Sequence, residues 1–339
     1  IRWKLNSKKI INLQQLLETT SNIKLPLAKI KGTTLEEKIF SVFLDSNFLY
    51  GPKDNILDDK NIWVEKINYF TKQNIPILLT VHGFPFKIPC PLKTNRLNPD
   101  LGEVMALLKL KSIADSIKQI YSPAAKITII GEGGFAKFVG VKPSEWKNYR
   151  NSIQKFIKDF KLNNIQVIDI SDLEKERNFR KVFNKIKKDL LKFYKAKNES
   201  VLKKIDGTID SVYRIISTKK YTEDLLIDIY NPKVSIPEID KIRKILRKKT
   251  IDSVFDYHAF LMTRDTLDFV NKKVPHSLPL TVSPKKGRLG VFPISPKNDR
   301  LPYHGVPLLN PKTNKIKIEY LIDLKRTNKK YTPVHLKDD

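Results

Sequence analysis

From residue 33 to residue 48 the apolar positions Leu35, Ile39, Phe40, Phe43 and Leu44 recur at helical spacing. Thr34 and Glu37 sit three apart at its start, so the pattern predicts an amphipathic helix opened by a capping box. Residues 59–71 read as a second helix. Residues 75–81 then form an apolar run rich in β-branched residues and leucine that stops at His82-Gly83, as a buried strand ending in a turn does. A long amphipathic helix is predicted over 101–121, with Asp100 at its N-cap and Pro123 closing the segment. Residues 126–131 predict a strand, 144–160 a helix with Pro143 just ahead of it, and 165–170 another strand. This alternation predicts an α/β fold with a Rossmann-like, mostly parallel sheet in residues 1–170. Residues 171–270 are helical in pattern and rich in lysine, with Gly207 and Asn231-Pro232 as breaks, and read as a helical insertion or cap. Strand patterns return at 280–282, 290–294 and 316–321 between Pro and Gly turns. They predict C-terminal antiparallel strands that complete the sheet and the site over residues 271–339.

Composition narrows the class. With 339 residues, 40% hydrophobic and 29% charged, the chain can bury a large core and does not have the makeup of a disordered protein. No apolar run approaches the roughly 20 residues of a membrane span, so a protein off the membrane is expected. Cys90 is the single cysteine, which excludes an intramolecular disulfide framework and favours a cytoplasmic setting. The first nine residues are basic but lack the apolar stretch of a signal peptide, which leaves targeting open. A formal charge of +28 would suit a polyanion as partner. Yet the densest runs, at 185–188 and 243–249, alternate with apolar residues at helical spacing, as solvated helix faces do. No helix-turn-helix, RNP, KH or zinc-finger pattern accompanies them, so nucleic acid is not the expected partner.

The chemistry concentrates after the predicted strand at 75–82. The loop carries prolines at 85, 89, 91 and 99, which stiffen the backbone. Within it Lys87, Lys93 and Arg96 are fixed cations suited to a phosphate or carboxylate. Asp100 and Glu103 have the spacing of a reciprocal helix cap, and also lie where a helix start would meet a ligand; both roles are open. Gly131-x-Gly133-x-x-Ala136 formally fits a dinucleotide fingerprint. Gly140 and Pro143 prevent a long helix directly behind it, and a tight turn presenting Glu132 is the preferred reading over a nicotinamide site. The five histidines, at 82, 258, 276, 304 and 335, show no metal-ligand spacing. His304 is the strongest proton carrier among them, with His82 behind it.

These residues resemble the pyoverdine/dityrosine biosynthesis family of isocyanide synthases and their fungal spore-wall relatives. The resemblance rests on Phe84-Pro85-Phe86-Lys87, Pro99-Asp100-Leu101-Gly102-Glu103, Tyr121-Ser122-Pro123 with Lys126-Ile127-Thr128-Ile129, Glu132-Gly133, and Pro302-Tyr303-His304. Three positions depart from the family pattern: Gly131-Glu132-Gly133-Gly134 replaces a Ser-Asp-Gly-Arg turn, Ser283-Pro284 stands where the family often has a histidine before a late proline, and Cys90 stands for asparagine. The resemblance implies a C–N bond-forming, metal-independent enzyme without organic cofactor. Its implied substrates are the α-amine of tyrosine or tryptophan and a ketose phosphate, ribulose 5-phosphate. It implies Lys87, with Lys93 or Arg96, at the sugar phosphate and Asp100 and Glu103 at the amino group. Glu132 and His304 would transfer protons, and Phe84, Phe86 and Gly133 would line the substrate site. A downstream iron/2-oxoglutarate oxygenase is the implied pathway partner. Synthesis of an N-formyl-tyrosine precursor for dityrosine, or a divergent non-catalytic polyanion binder, stays open beside this reading.

Overall fold

The computed structural model describes residues 9–11, 15, 18, 20, 25–87, 94, 96–283, 285–298, 300–313, 315–326 and 331–336. The expected parallel core is present. Helix α1, Leu35–Phe43, opens on the Thr34–Glu37 capping box, and α2 follows at Lys60–Gln73. Strand β2, Ile77–Gly83, pairs in parallel with β3, Ala125–Gly131, which pairs in turn with β4, Ile165–Asp169. Between them run α3, Leu101–Lys118, and α4, Pro143–Asp159. Their apolar faces fold into a core with β2 and β3, where Phe40, Phe43, Phe70, Leu107 and Ile113 are fully or almost fully buried. The register pairs Gly83 with Gly131, so the loops after β2 and β3 leave the same sheet edge side by side. In parallel α/β sheets that carboxyl edge is where ligands bind.

The expected C-terminal antiparallel strands are present, but they do not complete the main sheet. Strands β5, Leu278–Thr281, and β6, Leu289–Gly290, extend the main sheet in parallel, giving the order β4-β3-β2-β5-β6. The antiparallel pairing lies in a second sheet. There β7, Val306–Asn310, pairs with β8, Lys315–Glu319, and β9, Thr332–Leu336, and β9 also takes β1, Lys9–Ile11, in parallel. Short β patterns carry no signal of partner, and the direction of pairing depends on chain segments hundreds of residues apart.

Residues between β4 and β5 are helical as expected, in α5 Phe179–Lys195, α6 Glu199–Lys220, α7 Glu223–Tyr230 and α8 Pro237–Thr266. Asn231-Pro232 does interrupt the helices, but Gly207 does not: α6 runs through it. These helices bury their own core around Ile205, Val212, Leu246 and Phe255. Near its C-terminal end α8 also packs Phe260 against Phe135 and Phe179, which joins the insertion to the sheet edge. No described helix is long and apolar enough to cross a membrane.

Close backbone approach fixes β6. The Tyr50 amide donates to the Gly290 carbonyl at 3.0 Å, and a Cβ on Gly290 would lie 2.0 Å from the Tyr50 carbonyl oxygen. Gly290→Ala is therefore expected to force these segments apart and lower stability by about 1–3 kcal/mol, read from urea unfolding. An unchanged midpoint would show that the 48–50 segment is not held there.

Candidate active site

The loop after β2 turns at Phe84, whose φ of 52° is left-handed, a strained conformation for a bulky residue. The ring is buried and packs toward Tyr303, with centroids 6.3 Å apart. Past this turn Lys87 points inward and is fully buried. Its ammonium donates to Glu103 Oε2 at 2.9 Å and forms an ion pair with Asp100 Oδ2 at 2.8 Å. The two acids also form a reciprocal cap on α3: the Asp100 amide donates to Glu103 Oε2 and the Gly102 amide to Asp100 Oδ1, each at 2.9 Å. The Tyr149 hydroxyl on α4 donates to the other Glu103 oxygen at 3.1 Å. One cation therefore faces two carboxylates in a site without water-exposed atoms. Burial and the neighbouring Asp100 charge push the Glu103 carboxyl up, to about 7, against the pull of Lys87. The two carboxylates hold the Lys87 ammonium above its ordinary range despite its burial.

A cavity of about 430 Å³ lies above the same sheet edge, a size typical of small-molecule sites. Its floor is Glu132, Phe135 and Val139, from the 3₁₀ helix that follows β3. Pro85, Phe86 and Thr94 come from the loop after β2; Ser283, Leu301, Tyr303 and His304 come from the C-terminal region. The insertion forms the remaining wall, with Tyr257 of α8 and a face of α6 running from Gly207 to Ile215. Most of this lining is apolar or aromatic.

Glu132 is the carboxyl group at the cavity. Burial pushes its pKa up, partly offset by Arg264, Lys285 and Arg288. His82 lies at 3.9 Å from Glu132 and accepts from Arg264 Nη1 at 3.3 Å through Nδ1. Burial and the three cations hold it well below its ordinary value, so it is a neutral imidazole near pH 7. Arg264 is itself oriented by Asp265, at 2.6 Å from Nη2. Burial also pushes the Tyr257 and Tyr303 hydroxyls up, keeping both as neutral hydrogen-bonding groups. A part-buried carboxyl whose pKa is raised, beside fixed cations, is suited to acid–base chemistry.

The structure thus brings Phe86, Glu132 and His304 to one cavity. It keeps Lys87, Asp100 and Glu103 together, but away from the lining and already paired with one another. Gly133 serves packing, because a Cβ there would come 2.6 Å from the Trp146 ring. Phe84 lines a separate small cavity of about 30 Å³ with His82 and Tyr303. Arg96 is half-buried outside the lining, and Lys93 and Cys90 fall outside the described residues. Sequence reasoning missed Arg264, Tyr257 and Arg214. The available signal for the first two was their seven-residue spacing on one face of α8, which carries Phe260 between them. Among the described residues no three His, Cys, Asp or Glu side chains group as a metal site.

Residues 67–317 match the pyoverdine/dityrosine biosynthesis protein family. The chain belongs to that family. It is 26% identical over 223 residues to the L-tryptophan isonitrile synthase AmbI2 of Fischerella ambigua, covering 66% of this chain and 63% of that protein. It is 23% identical over 253 residues to an L-tyrosine isonitrile synthase of Xenorhabdus nematophila, covering 72% of each. The crystal structure of PvcA from Pseudomonas aeruginosa shares the fold, with a TM-score of 0.67 at 18% identity over 89% of this chain and 99% of that one.

In this family member the Lys87 cluster makes two predictions. Lys87→Met strands two buried carboxylates and is expected to cost about 3–5 kcal/mol in urea unfolding. Adding Asp100→Asn and Glu103→Gln should recover part of that loss; no recovery would show that the loss lies in packing. The second concerns pH. Glu103 binds its proton more tightly folded than unfolded, so its stabilising contribution is complete below its ordinary pKa of 4.5 and declines as pH rises to about 7. Glu103→Gln should flatten the stability–pH profile across that window, and an unaltered slope would place the titration elsewhere.

Proposed function

We propose that this protein is an isocyanide synthase-like enzyme that joins the α-amine of tyrosine or tryptophan to a carbon of ribulose 5-phosphate. The observation that carries this reading is the placement of Glu132, a part-buried carboxyl with raised pKa, in an aromatic-lined cavity at the carboxyl edge of the sheet. Relatives named as isonitrile synthases for both amino acids support it.

The first step requires a neutral amine. Glu132 in its ionised form takes a proton from the ammonium, and the amine then attacks the ketose carbonyl to give a carbinolamine. The protonated carboxyl returns that proton to the departing hydroxyl, so water leaves and a protonated imine forms, whose N–H proton the regenerated carboxylate can take. Later eliminations would release phosphate, and His304, which also lines the cavity, would share in those transfers. Lys285 and Arg288, which act electrostatically on Glu132, are assigned to the phosphate. This assignment replaces Lys87, whose ammonium is enclosed with its two carboxylates. In this scheme Lys87, Asp100 and Glu103 position the loop that carries Phe86.

The test is mass spectrometry of purified protein incubated with tyrosine, tryptophan and ribulose 5-phosphate and quenched with a tetrazine that traps isocyanides. An adduct of one amino acid is expected, and Glu132→Gln should slow its formation by about 10²–10⁴-fold. A formylated tyrosine in place of the adduct would support dityrosine-precursor synthesis. Neither product, under conditions where an active isonitrile synthase yields its adduct, would overturn the proposal.

A further inference from the structure

We propose that helix α6 selects and orients the amino-acid substrate, Gly207 leaving room for the aromatic ring and Arg214 holding the carboxylate. This rests on the function proposed above. Glycine is among the least favourable residues in a helix interior, since it loses the most backbone freedom and contributes no side-chain contact. Gly207 nevertheless occupies the middle of α6. Packing does not require it: a Cβ built there meets no heavy atom within 4 Å, unlike Gly133 against Trp146. Nor does backbone conformation, because its φ is not in the left-handed region. What lies beside Gly207 is the cavity.

Arg214 lines the same cavity two turns further along. Its guanidinium forms no ion pair or hydrogen bond among the described residues, whereas its backbone is firmly held. The Arg214 carbonyl accepts from Thr218 Oγ1 at 2.7 Å, Ser217 Oγ at 3.1 Å and the Tyr230 hydroxyl at 3.3 Å. The helix is also tied to α8 through Thr208 Oγ1 and His258 Nε2, 2.9 Å apart. It is therefore a rigid wall with one uncommitted cation and one missing side chain.

Seven residues span about 10 Å of helix, and helical side chains lean toward the N-terminus, so Arg214 reaches back toward Gly207. An aromatic amino acid carries its carboxylate and ring at opposite ends, which fits that separation. Bidentate pairing of guanidinium with carboxylate would fix one end. The α-amine, between the two ends, would then face Glu132 across the cavity.

Calorimetric titrations test this with L-tryptophan and L-tyrosine against tryptamine and tyramine, the same molecules without the carboxylate. The unaltered protein should bind one of the amino acids at least about 10-fold more tightly than its amine, the strength of a charged contact. Arg214→Gln should abolish that preference. Gly207→Ala should raise Tm by about 1–2 °C through helix propensity. Gly207→Phe, or Gly207→Leu if the phenylalanine variant does not fold, should weaken the preferred amino acid by at least about 10-fold through lost space. Three results would overturn the proposal: a preference retained in Arg214→Gln, undiminished binding in the bulky Gly207 variant, or no binding of either amino acid by the unaltered protein. Isocyanide formation at an equal rate in Arg214→Gln removes the proposed orientation and leaves the function standing. A lost preference in a protein that yields no isocyanide supports the orientation and removes the function.

Discussion

The buried charge of Lys87 sets the shape of the site. The ammonium of Lys87 has no access to water, and an uncompensated charge there would cost several kcal/mol. Asp100 and Glu103 supply the compensation, which ties the loop after β2 to the first turn of α3. Glu103 extends the tie to Tyr149 on α4. Packing continues outward from the same turn: a Cβ on Gly102 would lie 2.7 Å from the Ile318 side chain of β8 and 3.5 Å from Pro302. The second sheet and the Pro302-Tyr303-His304 turn are thus fitted against the helix start that the cluster organises. With Lys87 held inward, Pro85 and Phe86 become cavity wall.

The cavity joins two cores of different origin. The sheet provides Glu132 and the paired loop ends, while the helical insertion provides α6 and the cavity-facing part of α8. Helix α8 links them because Leu246, Val254 and Phe255 pack in the insertion core while Phe260 and Arg264 reach the sheet edge. The electrostatic result is asymmetric. Three cations act on Glu132 and His82, keeping the histidine neutral while the carboxyl retains a raised pKa through burial. The proposed proton exchange is therefore assigned to the carboxyl and not to the imidazole that accepts the Arg264 hydrogen bond.

Local rules account for what could be read in advance. The capping boxes at Thr34–Glu37 and Asp100–Glu103, the 3.6-residue periodicity of α1 to α4 and the apolar runs of β2 and β3 each depend on residues a few positions apart. Those elements form where their patterns place them, and their alternation indicates the parallel core. The loop from Phe84 to Glu103 was legible as a candidate region because prolines and mixed charges are concentrated there, and its Pro85, Phe86 and Thr94 do line the cavity. Glu132 was legible because glycines on both sides leave it at the end of a strand.

Sequence by itself determined the local elements, the parallel α/β class and the segments that meet at the sheet edge. Tertiary structure decided which charges face the cavity and which face one another. Lys87, Asp100 and Glu103 are charged in a way that fits either role, and only their mutual approach within 3 Å turns them into an internal frame. It also decided that β5 and β6 join the main sheet in parallel while β7 to β9 form another, and that Gly207 lies within a helix beside a cavity. Arg264 and Arg214 reach the site from an insertion whose helical pattern is local but whose docking is not. The physical reason is range: hydrogen-bonded turns and periodic faces are fixed by neighbours in sequence, whereas burial of charge and strand pairing are settled between residues far apart in the chain.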